Sequence, residues 1–520
     1  MQTPLADLPE RLHQLLDRHC TQQPNWPALY EGEISLSYSQ LRQASIELAE
    51  QLSQDGVRAG DRVMLVAENC RLLVAALLAV SRLDAWAVVI NARLSPAEIE
   101  NIRQHCGARR LLFSSAISVD AAQHAAQARA EPREHPLLGG YHLGPLNPDC
   151  QPEPVHADNA QQVAAMIYTT GTTGNPKGVM LTHRNLLFVA SMGCHMRKLT
   201  RADRIYAVLP ISHVFGLASV CLATLYSGSS LQLAARFDAR EVIRVLREDH
   251  ISILLGVPAM FARMLEVATQ QNIELLAPAL RFMYAGGAPL DLTLKCAVER
   301  RLNSALHNGY GLTESSPTIS QTRIDEQRDD TSVGRPIPGI EIRLLDKQGS
   351  TVAQGEIGEL LVRGPNVMKG YYRAPEQTAQ VLSADGWLNT GDLAREDSDG
   401  ALFIVGRSKE LIIRSGFNVY PPEVEAVLNS FPGVVLSAVV GLSVAGNEEV
   451  IAFIQPSDPD GFDKHALQAF VGKHLSPYKR PSQTHVLSGL PAAASGKILK
   501  HKLKAMAAEL AEQARLTSHT

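Results

Sequence analysis

Net charge is nearly absent from this chain: 49 Lys and Arg stand against 53 Asp and Glu, a formal charge of -4 over 520 residues. That balance exerts no global pull toward nucleic acid or an anionic membrane surface. Paired cysteines are missing as well. The seven (Cys20, Cys70, Cys106, Cys150, Cys194, Cys221 and Cys296) are scattered, odd in number and never spaced CxxC. This argues against a disulfide framework or a zinc site and suits a reducing cytoplasm. The longest apolar run, Leu72 to Val80, lies between Arg71 and Arg82 and is far too short to span a bilayer. It predicts a buried helix. The opening MQTPLADLPERLHQLL mixes acids and bases and lacks the basic-then-apolar layout of a signal peptide. No internal repeat is visible.

What is present is alternation. RVMLVAE, RLLVAALLAVSRLDA, AWAVVI, SPAEIENIRQHC and RRLLFSS read in turn as strand, helix, strand, helix and strand, the sign of parallel sheets covered by helices. From about Ala116 to Gln162 the pattern fades into Ala, His, Pro and Gly, which predicts a surface connection between subdomains. After Gly355, short alternating stretches such as GEIGELLVRG and GWLNTGDLARED predict a small β-rich portion. Beyond Arg407 the chain reads as a smaller α+β unit, whose helix PEVEAVLNSF begins with Pro in its first turn. A length of 520 residues favours two or more domains.

One stretch cannot fill a core. YTTGTTGNPKGVMLTH, from Tyr168 to His183, would bury hydroxyls and glycine amides without partners. It reads as a loop that holds a phosphate, with converging backbone N–H groups, threonine hydroxyls and the Lys177 charge. It is not a Walker A loop, because Lys177 follows Pro176 and precedes Gly178. GYGLTE (Gly309 to Glu314) ends in Glu, so it is not the dinucleotide G-x-G-x-x-G.

Five motifs in order, YTTGTTGNPKGVMLTH, NGYGLTE, GWLNTGDL, GRSKELII and PAAASGK, give the chain a resemblance to the acyl-CoA synthetases of the adenylate-forming superfamily over essentially its whole length. The resemblance implies a large N-terminal domain (1–408) of α/β subdomains with a β-rich portion, then a small mobile α+β lid (409–520). It implies ATP, Mg²⁺ and coenzyme A as cofactors and a small carboxylic acid as substrate. The acid first attacks the α-phosphorus of ATP, releasing pyrophosphate, and a thiol then displaces AMP. Thr169, Thr170, Gly171, Thr172, Thr173, Gly174 and Lys177 are placed by the resemblance around the β- and γ-phosphates.

By the same resemblance Asn308, Gly309, Tyr310 and Gly311 form the adenine platform, Thr313 reaches the α-phosphate, and Glu314 with Thr170 holds Mg²⁺. Asp392 has two acceptors suited to the ribose hydroxyls, Arg407 follows the ribose and α-phosphate, and Lys409 falls at the hinge. Lys497 is the expected catalytic cation, bridging carboxylate and α-phosphate where negative charge accumulates. Acetylation of Lys497 is then expected to act as an off switch. Gly416 sits where the thiol arm passes.

LPISHVFGL resembles the helix beside the substrate carboxylate, with His213 as an aromatic gate, and YAGGAPL supplies the second wall through Ala285, Gly286 and Gly287. No acid lies between Leu209 and Leu217, which disfavours an amino-acid substrate and leaves a fatty chain or a flat aryl acid. The leading expectation is an ATP-dependent carboxylate–CoA ligase. Transfer to a carrier-protein phosphopantetheine and a nucleotide-sensing pseudoenzyme are the alternatives. The five polar residues Lys177, Glu314, Asp392, Arg407 and Lys497 together argue against the last.

Overall fold

The computed structural model describes residues 8–170, 176–444, 447–493 and 496–517. The alternation near the N-terminus becomes a sheet. Arg62–Ala67 is a fully buried strand, and Val63 pairs in parallel with Ala87 of Trp86–Asn91. Between them the helix Arg71–Arg82 buries every residue from Leu72 to Ser81. A helix apolar on all sides is held by that burial, about 1.5–3 kcal/mol for each Leu or Val withdrawn from water. The next helix, Pro96–Cys106, opens on Ser95, whose Oγ accepts from Glu98 N while the Glu98 carboxylate accepts from Ser95 N.

Eight strands make up this sheet, in the order Gly370–Tyr371, Pro176–Thr182, Val163–Thr170, Trp86–Asn91, Arg62–Ala67, Arg110–Phe113, Gly139–Leu143 and Glu131–His135. The last two correct the expected surface connection. Residues 131–143 form an antiparallel hairpin on the sheet edge, preceded by the helix Val119–Gln127. That helix was hidden because it buries only Ala121, His124 and Ala125, too little apolar surface to show a period in the sequence.

A nine-stranded sheet shares the largest apolar core with the first. Its strands Pro27–Glu31, Ser230–Leu233, Arg204–Ala207, Ile253–Gly256, Phe282–Ala285 and Leu306–Gly311 run parallel in that spatial order. The β-rich portion is a four-stranded antiparallel sheet that starts earlier than the sequence suggested, at Glu341–Leu345, and continues through Gly358–Arg363, Leu388–Glu396 and Leu402–Arg407. After the turn Ser408–Glu410 the C-terminal unit has cores of its own around Val424, Val439, Ile454 and Leu467 and around Phe453 and Leu503. The architecture is thus α/β plus α+β. The two lobes meet where Asn429 donates to Asp291 at 3.4 Å.

Candidate active site

The motifs converge at the C-terminal ends of the parallel strands, where open α/β sheets bind ligands. Val163–Thr170 and Pro176–Thr182 are antiparallel, with Tyr168 opposite Gly178 and Thr169 opposite Lys177. The glycine-rich stretch is therefore the connection of a hairpin. Gly171, Thr172, Thr173 and Gly174 lie outside the described residues, and so does the side chain of Thr170. Lys177 Nζ stands 4.8 Å from the ring centroid of Tyr371. Tyr371 pairs with Val179 on the same edge, and its hydroxyl donates to Glu314 Oε1 at 2.8 Å. Lys177 and Glu314, distant in sequence, thus share one aromatic neighbour. Burial, and then Glu314, push the Tyr371 phenol up, so it stays protonated and able to donate.

Leu306–Gly311 ends the parallel run, and its glycines are dictated by space. A β-carbon at Gly309 would lie 1.9 Å from Tyr284 Oη, and one at Gly311 would lie 1.7 Å from the Pro317 carbonyl oxygen. Tyr310 sends its hydroxyl to Asp392 Oδ2 at 2.5 Å, and Arg407 Nε reaches Asp392 Oδ1 at 3.1 Å. Asp392 and Arg407 face each other in register across strands Leu388–Glu396 and Leu402–Arg407. Burial raises the Asp392 carboxyl above its ordinary value despite the opposing Arg407 charge and Tyr310 bond. Each oxygen keeps a lone pair for a diol. Thr313 is buried in the turn Thr313–Ser315 that carries Glu314.

Asn308 is engaged within the chain as well. Its amide donates to the carbonyls of Thr331 and Ser332 at 3.0 and 3.2 Å, and its Oδ1 accepts from Gly309 N. Both amide hydrogens hold a loop against the strand, so only the second lone pair of Oδ1 is available to the edge of a base.

The C-terminal lobe delivers Lys497 to this cluster. Gly496 has φ +82°, and a β-carbon there would meet Val257 Cγ2 at 2.7 Å, so the loop passes close against the N-terminal lobe where only glycine fits. Lys497 is solvent-accessible yet set between the lobes. Desolvation, with Arg407 second, holds its ammonium below the usual lysine range, while Glu410 and Asp392 oppose that shift. Burial, and then the Lys497 charge, lower His213 to about 4, so its imidazole is neutral near pH 7. His213 Nδ1 accepts from Phe215 N at 3.3 Å, which assigns the proton to Nε2.

His213 lies two residues before the π-helical turn Phe215–Leu222, and Phe215 meets Tyr284 edge to face at 5.7 Å. Ala285 is buried, and a β-carbon at Gly286 would press on Tyr284 and Phe215 at 3.0 and 3.2 Å. Gly287, with φ +78°, turns the chain away. Lys409 is exposed in the turn Ser408–Glu410. Gly416 is not brought to the cluster: it forms an exposed hairpin turn at φ +82° with open space about it. Sequence reasoning missed Tyr371, although KGYYR follows GPNVM directly; a tyrosine is legible as the donor to a distant carboxylate only once its strand edge is known.

A crevice of about 710 Å³ lined by Ile99, Leu111, Phe113 and Leu146 contains none of these residues. The family model described as "AMP-binding enzyme" matches residues 16–372, and that described as "AMP-binding enzyme C-terminal domain" matches 423–497. The chain belongs to the AMP-binding enzyme family. Among its AMP-binding relatives are a feruloyl-CoA synthase from Amycolatopsis sp, 33% identical across 94% of this chain and 97% of that one, and a long-chain-fatty-acid–CoA ligase from Salmonella typhimurium, 31% identical across 95% and 94%. The solved structure of ATP-bound MatB from Rhodopseudomonas palustris superposes with a TM-score of 0.83, 28% identity and coverage of 96% and 98%.

Proposed function

We propose that Lys497, His213, Asp392, Arg407, Glu314 and Lys177 form one site for adenylation, and that the same cleft, with Lys497 withdrawn, serves the thiol step. The chain is an ATP-dependent, AMP-forming acid–thiol ligase, which converts a carboxylic acid to its acyl-adenylate with release of pyrophosphate and then to acyl-CoA. The observation that carries the assignment of roles is the close approach of the Gly496 loop, from one lobe, to Val257 of the other, which brings the Lys497 charge to bear on His213 and Asp392.

A carboxylate is a poor electrophile because its own charge repels nucleophiles. Its approach to triphosphate also brings anion to anion. Unit charges about 4 Å apart at an effective dielectric of about 20 interact by roughly 4 kcal/mol, so one placed ammonium changes the barrier substantially. Lys497 supplies it between carboxylate and α-phosphate, Lys177 and the glycine-rich connection hold the departing pyrophosphate, and Arg407 follows the ribose that Asp392 accepts. Neutral His213 closes the acid pocket without adding a competing cation. Glu314, with Thr170, is the Mg²⁺ ligand; one carboxylate with phosphate oxygens suits that ion, which when bound neutralises phosphate charge. Tyr371 fixes the Glu314 carboxylate through its hydrogen bond.

The acid we favour is aryl or fatty, since aromatic Phe215 and Tyr284 flank a wall of Ala285 and Gly286 and the stretch from Leu209 to Leu217 contains no acid to pair with an ammonium. For the thiol step the lobe 409–520 turns about Lys409, withdrawing Lys497 and bringing in Gly416. Acetylation of Lys497 abolishes its charge and with it adenylation; acetylated enzyme that still adenylates would refute this. A cytoplasmic setting agrees with seven unpaired cysteines. Pyrophosphate release across aliphatic, aryl and amino acids, with and without coenzyme A, tests the reading. Sustained turnover that needs coenzyme A supports it, and adenylation that coenzyme A never converts to thioester moves a carrier protein into its place.

A further inference from the structure

Arg197 is 1% exposed, and its position makes it unlike the other buried arginines. Arg11 pairs with Asp84 at 2.6 Å, Arg109 with Asp61 at 3.6 Å, and Arg62 with Glu153 at 3.8 Å besides three carbonyls. Among the described residues Arg197 has no carboxylate within ion-pair distance. Its side chain makes one hydrogen bond, from Nη1 to the Ser219 carbonyl at 2.5 Å, and Nε has no partner. Its guanidinium otherwise lies over the Tyr284 ring, 5.3 Å from the centroid. A cation withdrawn from water is ordinarily paired, because the desolvation it suffers is not recovered by one carbonyl and a ring face. Burial accordingly pulls this guanidinium down to about 10.

Its neighbours give the deficit a direction. Ser219 lies in the turn that follows His213, and Tyr284 immediately precedes Ala285 and Gly286, so Arg197 stands behind both walls of the acid pocket. Polar groups continue beyond Arg197: Ser219 Oγ and Thr318 Oγ1 are 3.4 Å apart, the Thr318 carbonyl accepts from Asn366, and Asn366 Oδ1 has no partner. A pocket meant only for a hydrocarbon tail would gain nothing from a fully buried arginine behind its walls.

We propose that Arg197 selects acids that carry an oxygen acceptor at the end remote from the reacting carboxyl, a second carboxylate being the strongest form. The inference rests on the ligase reading above and deepens it by naming the substrate class. An anionic far end restores the missing partner of Arg197 in a site where charge-assisted bonds are strong, while a methyl end leaves the guanidinium unpaired. Discrimination against the group that fails to pair is the larger effect when a buried polar group is stranded.

The test compares α,ω-dicarboxylic acids with monocarboxylic acids of equal chain length, and para-hydroxy with para-methyl arylpropenoic acids, by kcat/KM for pyrophosphate release. The acceptor-bearing acid of the best-fitting length is expected to exceed its methyl counterpart by at least about 10-fold. In Arg197→Met that ratio is expected to collapse toward unity, and in Arg197→Lys to fall part-way. If Arg197→Met does not fold, the panel on the native enzyme decides alone. Native turnover of methyl-ended acids in preference to acceptor-ended ones at every length overturns the inference and leaves the ligase intact; pyrophosphate release with no acid at all overturns both.

Discussion

Lys497 places a single ammonium among two cations and two carboxylates, and its titration should be visible in activity. Burial, followed by Arg407, lowers its pKa, so the charged form needed for adenylation is lost as pH rises through that lowered value. Pyrophosphate release should decline on the alkaline side, and Lys497→Arg should carry the decline to higher pH; a limb that does not move contradicts the assignment. Lys497→Ala is expected to lower adenylation by about 100-fold or more. Tyr371→Phe removes the bond that orients Glu314 and should raise the Mg²⁺ concentration needed for half-maximal rate by roughly 10-fold; an unchanged Mg²⁺ titration would separate Tyr371 from the metal. His307 illustrates linkage. It is buried and lowered to about 4, by desolvation first and Lys295 second. Between that value and the ordinary 6.5 the unfolded chain binds the extra proton. Its contribution, up to about 3 kcal/mol, is therefore present above pH 6.5 and lost as pH falls toward 4. Denaturant midpoints of His307→Gln should fall less steeply with acid than those of the native chain.

Among the elements, those with a strong apolar period were readable and those without were not. Arg71–Arg82 announced itself through Leu72 to Val80, and Leu73→Ala there should cost about 2–5 kcal/mol by chemical denaturation. Val119–Gln127 and its hairpin were invisible because alanine and histidine bury little, and their place on the sheet edge is decided by pairing with Arg110–Phe113. The site divides similarly. Asp392 and Arg407 were singled out separately, but that they face each other follows from a strand register that no local pattern displays. Asn308 was readable as polar and proved to hold residues 331 and 332. Gly496 sits in the loop presenting Lys497, so Gly496→Val combines strain of about 1–2 kcal/mol at positive φ with overlap on Val257. Adenylation should fall by more than the loss of Tm explains; equal activity with intact stability would show that the loop tolerates displacement.

Taken whole, the molecule carries the residues proposed to hold phosphate, base and acid on one lobe and the proposed catalytic cation, Lys497, on the other. The sequence exposed both lobes through the change in character near Arg407, whereas their meeting at Asp291 and Asn429, and at Val257 and Gly496, required the folded chain. One cleft is proposed to perform two separable half-reactions, with Lys497 serving only the first. Lys497→Ala should therefore be assayed beside the native enzyme for acyl-adenylate formation from acid and ATP, and for acyl-CoA formation from synthetic acyl-adenylate and coenzyme A. The first reaction should be lost and the second retained at near-native rate. Equal loss of both, or retention of both, would contradict the proposal.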